Sequence, residues 1–146
     1  MEIKSTNLLL KTKKEFEIID LTKKIISLIK KSKIGEGFVN IFSKHTTLAI
    51  KINENEPLLI EDMNSFMNKI VDKKEDYRHD IISLRKDCPK DEPKNAGGHL
   101  RTLILETNQT IPISKNKLQL GRYQKIMAIE TSGPRERQIL IQIIGI

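Results

Sequence analysis

The sequence predicts an α+β fold in which two antiparallel sheets carry helices on an outer side. Three observations support this class: short strand patterns outnumber helical ones, most connections are short turns, and three stretches repeat apolar residues at helical spacing. With 146 residues, the chain fits one domain, residues 1–146, which can bury about two-thirds of its unfolded surface. No internal repeat or low-complexity segment interrupts it.

The amino-terminal part is predicted to form a β-hairpin followed by a helix. Residues 2–10 and 15–19 have the composition of short strands, and the polar tetrapeptide 11–14 between them suits a hairpin loop. A helix follows from Leu21, because apolar residues recur at offsets 0, 4, 7 and 8 and lysines fill positions between them. Asp20 is placed to cap the first turn of this helix.

Two strands and a second helix are predicted in the middle of the chain. Two glycines end the first helix, and strands are expected at residues 38–42 and 48–52. The segment 53–57 has the capping residues and the early proline of a helix start. We expect the apolar residues of this helix to lie in the core rather than in a cofactor pocket. They are Leu59, Met63, Phe66, Met67 and Ile70.

A long charged connection is predicted at residues 72–94. It contains two prolines and the residues Tyr77 and His79, and we expect an irregular path with a short helical turn. Connections of this length in compact domains are usually either functional or disordered. The tyrosine and the histidine favour a functional connection.

A third helix is predicted from Asn95, which would cap it. Two glycines, Gly97 and Gly98, lie in its first turns and would each cost about 0.8–1 kcal/mol relative to alanine. We therefore expect another backbone or a ligand to approach closely there. His99 lies one turn beyond Asn95. The apolar residues that fit the helical offsets are Ala96, Leu100, Leu103 and Ile104.

The remaining strands are predicted in the last third of the chain. Edge-like strands are expected at residues 110–113 and 118–120, around a polar turn. Residues 138–146 are almost wholly aliphatic. Such a run must lie inside a sheet, because it would otherwise promote aggregation, so we expect a central strand.

The stretch 118–137 contains polar residues in an unusual setting. Gln124 and Glu130 fall on the same face of the predicted strand as two apolar residues. A carboxylate held there must be paired, hydrogen-bonded or shifted in pKa. A glycine–proline turn follows, and Arg135 and Arg137 would project to one side of the next strand. The acid and the two arginines form either a structural salt bridge or a functional cluster.

Charge and cysteine content restrict the partners of the chain. The net charge of +7 favours anionic partners, although a compositional bias of the proteome would explain the same lysines. Aromatic residues make up 4% of the chain, so we do not expect nucleic-acid binding. The lone Cys88 excludes an internal disulfide, and no stretch approaches about 18 apolar residues. We expect a cytoplasmic protein with no membrane partner.

The three histidines, His45, His79 and His99, each lie beside small or hydrogen-bonding residues at the edge of an element. Neutral imidazole is a natural zinc ligand, and many catalytic zinc sites use three protein ligands and a water. The spacings of these histidines match no local zinc motif. Taken singly, each histidine is more often a surface residue or a hydrogen-bonded structural residue than a metal ligand.

Short motifs follow one another along most of the chain. They are Ser43-x-His45-Thr46-Thr47, Ile52-Asn53-Glu54-Asn55, Asp62, Tyr77-Arg78-His79, Asn95-x-x-x-His99-Leu100, Ile111-Pro112, Leu118-x-Leu120-Gly121-x-Tyr123-Gln124-x-Ile126 and Glu130-x-x-Gly133-Pro134-Arg135-x-Arg137. Each motif is weak alone, but in this order they resemble the YjbQ-like family, also called the secondary thiamine-phosphate synthase family. Two positions depart from the family pattern. Gly97-Gly98 stands where relatives usually have Ala, or Asp with Ala, and Tyr123 stands where many have Trp.

The resemblance implies an α+β β-sandwich with flanking helices that assembles as a homotrimer, with sites near the subunit contacts. It also implies a weak ability to make thiamine phosphate from a pyrimidine pyrophosphate and a thiazole phosphate. The leading hypothesis is therefore an enzyme that acts on an anionic, phosphorylated small molecule. The alternative is a non-catalytic trimer that binds a metal or an anionic metabolite.

The leading hypothesis assigns residues to three roles. The catalytic residues would be His45, His99, Glu130, Asn95 and Gln124. Substrate and phosphate would be bound by Thr46, Asn53, Glu54, Arg135 and Arg137. A divalent metal, either zinc or, with a pyrophosphate substrate, magnesium, would be bound by His45, His79 and His99. Glu130 would act as acid or base, and the arginines would neutralise the leaving pyrophosphate.

Overall fold

The computed structural model describes residues 1–72 and 75–146, which fold into two antiparallel sheets and flanking helices. The strands are β1 (Glu2–Lys11), β2 (Glu17–Asp20), β3 (Gly37–Ser43), β4 (Leu48–Asn53), β5 (Asn108–Ser114), β6 (Lys117–Leu118), β7 (Lys125–Glu130) and β8 (Glu136–Gly145). The helices are α1 (Thr22–Ser32), α2 (Pro57–Ile70) and α3 (Ala96–Ile104). The predicted α+β class is confirmed.

The larger sheet has the strand order β1-β8-β3-β5-β6 and the smaller sheet has the order β2-β7-β4. β8 pairs with β1 on one side and with β3 on the other, so the aliphatic carboxy-terminal run is the central strand that we expected. β5 lies between β3 and β6, so its prediction as an edge strand is wrong. The turn that joins β5 to β6 places Lys115 and Asn116 at φ values of 51° and 56°, as the twist of a tight hairpin requires.

One apolar cluster joins the inner faces of both sheets to α1. Ile41 and Ile141 come from the larger sheet, Ile126 from the smaller sheet, and Ile25 and Ile29 from α1, and all five are almost fully buried. The helical offsets predicted from Leu21 therefore identified the buried face of α1. Its amino-terminal end is held by Asp20, whose Oδ1 accepts the backbone N–H of Thr22 at 2.8 Å.

The predicted amino-terminal hairpin is wrong, because β1 and β2 belong to different sheets. β1 pairs with β8, whereas β2 pairs with β7. The segment between them crosses from one sheet to the other, and Thr12 fixes the crossing. Its backbone N–H donates to the carbonyl of Arg135 at 2.9 Å and its hydroxyl donates to Glu130 Oε2 at 3.0 Å. Loop composition marked the break but did not reveal these distant partners.

The predicted core faces of α2 and α3 are partly wrong. In α2, Met67 is buried but Phe66 is 58% exposed. In α3, Leu103 is 81% exposed, whereas Arg101 is only 2% exposed. α3 therefore turns small and polar residues inward and leaves its larger apolar residues outside, which is the reverse of the expected arrangement.

The connection between α2 and α3 contains the predicted short helical turns. They are two 3₁₀ turns, Arg78–Asp80 and Ile82–Leu84. Positions 73 and 74 of the predicted connection lie outside the described residues. In the described ranges, no helix combines the length and the apolar character needed to cross a membrane.

Candidate functional site

A cleft of about 940 Å³ opens beside the amino-terminal end of α3. It lies between this helix, the turn that follows β7 and the connection that precedes α3. Its cationic lining residues are Lys94, Arg101 and Arg135, and its acidic ones are Glu15, Glu75, Asp76 and Asp80. A cleft of this size can hold a small metabolite.

α3 packs closely against the turn after β7 through its small residues. The Thr131 hydroxyl oxygen lies 3.0 Å from the carbonyl of Gly98 and 3.0 Å from the Thr102 hydroxyl oxygen. A Cβ at Gly98 would lie 2.8 Å from the Cβ of Ser132, whereas a Cβ at Gly97 would meet only the Cγ1 of Val71, at 3.7 Å. The predicted close approach of another backbone is therefore confirmed at Gly98, whereas at Gly97 no backbone approaches and the predicted approach of a ligand stays a prediction.

Asp80 caps α3, so the prediction of Asn95 as the capping side chain is wrong. The Oδ1 atom of Asp80 accepts the backbone N–H groups of Asn95 and Ala96 at 2.9 Å and 3.0 Å. A carboxylate is favoured at this end of a helix, because the first N–H groups have no partner within the helix. The Asn95 side chain instead places Oδ1 3.2 Å from Nε2 of His79.

The structure brings two of the three histidines together. The rings of His79 and His99 meet edge to face, with 5.0 Å between their centroids. His79 is exposed and His99 is half-buried. Burial lowers the pKa of His99, and the nearby His79 and Arg85 lower this pKa further, against the opposite effect of Asp80 and Glu92. His99 is therefore a neutral imidazole at pH 7.

His45 lies apart, in the turn between β3 and β4. Its Nε2 atom accepts the backbone N–H of Gln138 at 2.7 Å, so its proton resides on Nδ1. Burial, followed by the charge of Arg137, lowers the pKa of His45 and favours this neutral form. Within the described residues, no group of three or more His, Cys, Asp or Glu side chains is arranged to hold a metal ion. The three-histidine metal site therefore stays a prediction.

Glu130 and Arg137 form a buried salt bridge. Arg137 donates to Glu130 through Nε at 2.6 Å and through Nη2 at 2.5 Å. The backbone N–H of Ser132 and the hydroxyl of Thr12 also donate to the carboxylate, at 2.8 Å and 3.0 Å. Burial raises the pKa of Glu130, but these hydrogen bonds and the charge of Arg137 outweigh burial, so the pKa lies below its ordinary value. This arrangement favours the structural alternative for the pair.

Arg135 points elsewhere, so the prediction that it projects to the same side as Arg137 is wrong. It is half-buried, lines the cleft, and donates from Nε to the carbonyl of Ser132 at 2.8 Å. Strand alternation does not apply to the two arginines, because β8 begins only at Glu136.

Three of the predicted residues lie around a second, smaller cleft of about 370 Å³. They are Asn53, Glu54 and Gln124. β4 pairs with β7 so that Leu48 faces Glu130 and Asn53 faces Lys125, which separates the two ends of the strands by roughly 17 Å. The prediction that Gln124 shares a strand face with Glu130 is wrong, because Gln124 precedes β7 and its Oε1 accepts the backbone N–H of Gly121 at 2.8 Å.

The remaining predicted residue, Thr46, is exposed beside His45. Sequence reasoning missed the buried Arg101 and the capping role of Asp80. The apolar repeat of α3 placed Arg101 on the solvent side, so no local pattern marked it. Asp80 immediately follows His79 in a segment already singled out as functional, which was the available signal.

Comparisons with known proteins agree with this fold. The sequence profile of a family described as UPF0047 protein YjbQ-like matches residues 6–146. A UPF0047 protein of Methanothermobacter thermautotrophicus is 35% identical over 145 residues, which cover 99% of this chain and 94% of the relative. A UPF0047 protein of Archaeoglobus fulgidus is 34% identical over 137 residues, which cover 94% of this chain and 98% of the relative.

Solved structures give the same result. A Sulfolobus solfataricus protein, described as YbjQ-like and of unknown function, superposes with a TM-score of 0.89 at 29% identity and 99% coverage of both chains. A yjbq/upf0047 family protein of Clostridium acetobutylicum has a TM-score of 0.83 at 30% identity, with coverage of 95% of this chain and 99% of that one.

Proposed function

The chain belongs to the UPF0047 YjbQ-like family, and from this premise we propose that it is an enzyme acting on a phosphorylated small molecule in the cleft beside α3. Formation of thiamine phosphate is the reaction that the sequence resemblance implies. In that reaction, the ring nitrogen of a thiazole phosphate bonds to the methylene carbon of a pyrimidine pyrophosphate, and pyrophosphate leaves.

The observation that carries this proposal is the position of Asn95. Asn95 lines the cleft, and its side-chain oxygen contacts the ring of His79. The ring of His79 in turn packs against the ring of His99. The imidazole pair is thereby linked to a cleft that also contains Lys94 and Arg135. A pair of imidazoles beside cationic side chains suits a reaction in which a phosphate group departs.

The cleft residues supply charge and hydrogen bonds in this scheme. Arg135 and Lys94 neutralise the negative charge that develops on the leaving pyrophosphate. His99 is neutral because of its lowered pKa, and since its ring is not among the groups that line the cleft, it acts by packing against His79. Asn95 orients His79 through the 3.2 Å contact.

Glu130 and Arg137 have a positioning role in this scheme. Their salt bridge lies directly below the turn that contributes Ser132 and Arg135 to the cleft. Glu130 is buried, accepts several hydrogen bonds and has a lowered pKa, so it remains ionised and shapes the turn.

The second candidate function is capture of a metal or an anionic metabolite without turnover. It is favoured by the 5.0 Å separation of His79 and His99, which could supply two of the ligands that zinc requires. The part of the chain that the structure describes groups no third ligand with this pair. We therefore assign no reaction step to a metal.

We also propose the homotrimer that the resemblance implies. Several large apolar residues of α2 and α3 are exposed, which is typical of a surface that another chain covers. They are Leu58, Phe66, Ile70, Leu100, Leu103 and Ile104. A three-fold ring joins unlike surfaces of neighbouring copies.

Purified protein supplied with the pyrimidine pyrophosphate, the thiazole phosphate and Mg²⁺ tests the enzymatic proposal. We expect thiamine phosphate to form, and its rate to fall at least tenfold in His99→Asn and His79→Asn. Lys51→Gln is the control, because Lys51 is paired with Glu106 on the surface and does not line the cleft. Equal rates for the wild type and His99→Asn would remove the imidazole pair from the mechanism.

A further inference from the structure

Arg101 is a buried cation with an incomplete set of hydrogen-bond acceptors. Its side chain is 2% exposed, and Nη2 donates to Asn68 Oδ1 at 2.9 Å. Nη1 lies 3.7 Å from the Glu15 carboxylate, which is beyond hydrogen-bonding distance, and the Glu15 side chain is 55% exposed. Among the described residues, Nε has no hydrogen-bond partner. Buried polar atoms are nearly always hydrogen-bonded, so this guanidinium requires an explanation.

The position of Arg101 connects it to the cleft. A helical side chain extends towards the amino-terminal end of its helix and covers the preceding turn. The preceding turn of α3 contains Gly97 and Gly98, four and three residues before Arg101, and neither has a side chain. All three residues line the cleft. Gly98 is covered by the turn after β7, but a Cβ at Gly97 would meet only Val71, so Gly97 leaves space in the cleft on the turn that precedes Arg101.

Several groups that attract an anion lie at the same end of the cleft as Arg101. The amino-terminal turn of α3, a helix of nine residues, carries the positive end of the helix dipole. Arg135 lines the same cleft, where its Nε is already bonded to the Ser132 carbonyl. The carboxylate of Asp80 accepts the backbone N–H groups of Asn95 and of Ala96, the first residue of the helix. Four acids, Glu15, Glu75, Asp76 and Asp80, also line the cleft, and Glu75 and Asp76 are exposed.

We infer that Arg101 forms an oxyanion subsite in the cleft, which binds a phosphate or carboxylate group of the ligand between Arg101, Arg135 and the first turn of α3. The inference rests on the proposed function, because it assigns the anionic group of the substrate to a specific part of the same cleft. It assigns a ligand-binding role to Arg101, and it explains why Gly97 is tolerated where a Cβ would fit.

Binding of three probes to the purified protein tests the inference by isothermal titration calorimetry. The probes are inorganic phosphate, pyrophosphate and malonate. The variants are Arg101→Met and Gly97→Leu, with Arg122→Met as the control. Arg122 is an exposed arginine that stacks on Tyr123 at the second cleft, so its loss removes the same charge elsewhere.

We expect wild type and Arg122→Met to bind at least one probe equally, and Arg101→Met and Gly97→Leu to bind it at least tenfold more weakly. Preference for phosphate and pyrophosphate identifies a phosphorylated ligand, and preference for malonate identifies a carboxylate. Gly97→Leu retains the guanidinium, so it tests the site even if Arg101→Met does not fold. Absence of binding to the wild type, or equal affinity in a folded Arg101→Met or Gly97→Leu variant, would overturn the inference.

His99→Asn separates this inference from the proposed function. The imidazole ring of His99 does not line the cleft. We therefore expect His99→Asn to bind the anion with the affinity of the wild type, even where thiamine phosphate formation is lost. Retained anion binding in a wild-type protein that forms no thiamine phosphate would reject the proposed function and keep the subsite. If the wild type forms thiamine phosphate but Arg101→Met binds the anion as tightly as the wild type does, the subsite is rejected and the proposed function is kept.

Discussion

Glu130 and Arg137 are the two charged residues that the smaller sheet and β8 place inside the protein. The carboxylate accepts hydrogen bonds from Arg137, Thr12 and Ser132, and Arg137 also donates to the Thr47 hydroxyl at 2.8 Å. These contacts join β7, β8 and the segments after β1 and β3 at one end of the core.

We predict that Glu130→Gln lowers the free energy of unfolding by about 3–5 kcal/mol, because it leaves the buried guanidinium without a counterion. The double variant Glu130→Gln/Arg137→Met should recover most of this loss, since it removes both charges. Urea denaturation measures both values. The control is Glu136→Gln, an exposed position next to Arg137, for which we expect a change within about 0.5 kcal/mol. Equal destabilisation by Glu130→Gln and Glu136→Gln would contradict the prediction.

The pH dependence of stability follows from the lowered pKa of Glu130. A carboxyl group whose pKa is lower in the folded state contributes stability that is complete above its ordinary value of 4.5. This contribution is lost as the pH falls through the lower, folded pKa. Between about pH 5 and about pH 2, the wild type should therefore lose more stability than the double variant. The lowered pKa values of Asp20, Glu56 and Glu106 act in both proteins and cancel in the difference.

At this scale, the sequence predicted that Glu130 needs a cationic partner, but it could not choose between two arginines. Strand alternation decides which way a side chain points only inside a strand. Arg137 lies inside β8 and Arg135 lies just before it. The role of His45 was equally hidden, because its partner is a backbone N–H of Gln138, far along the chain.

Among the elements, α3 departs most from its sequence pattern. Its inward face consists of Ala96, Gly98, Arg101 and Thr102, which contact the turn after β7 and α2 through hydrogen bonds as well as packing. The apolar period predicted that a helix exists here, and it does. The period predicted the wrong buried face, because tertiary hydrogen bonds to Thr131 and Asn68 are not visible in a single segment.

The two adjacent glycines of α3 provide a matched pair of substitutions. We predict that Gly98→Ala destabilises the protein by about 1–3 kcal/mol, because the new Cβ would meet Ser132 and the Thr131 carbonyl. Gly97→Ala should be neutral or stabilise by up to about 1 kcal/mol, since its Cβ has room and alanine favours the helix. Chemical denaturation of both variants gives the comparison. If both substitutions change the free energy of unfolding by the same amount in the same direction, the close approach at Gly98 does not explain the effect.

For the whole molecule, the exposed apolar faces of α2 and α3 lead to a prediction about assembly. We expect the wild type to sediment as a trimer at micromolar concentration, and Phe66→Lys/Leu103→Lys to sediment as a monomer, because both substituted residues are exposed and apolar. Leu9→Lys, at a residue of β1 that is also exposed, is the control and should remain a trimer. A wild-type monomer, or a double variant that is still trimeric, would contradict the prediction.

The sequence predicted the class of the fold, the central position of β8, the inner face of α1 and the turns of the connection. These features depend on local periodicity and on the need to bury an aliphatic run. It failed at the first hairpin, because the choice between two sheets depends on Thr12 reaching Glu130 and Arg135. The sequence also suggested one site for candidate residues that lie at two separate clefts, because the order of motifs along the chain does not determine which ends of antiparallel strands meet.

The capping contact of Asp80 has a consequence for how the molecule comes apart. Because Asp80 accepts the N–H groups of Asn95 and Ala96 at the start of α3 from a different segment, the connection cannot detach without taking their hydrogen-bond acceptor away. Detachment would also separate His79 from Asn95. A stretch that resembles a loop in its composition is therefore energetically part of the helix that follows it, and the two should open and close as one cooperative unit.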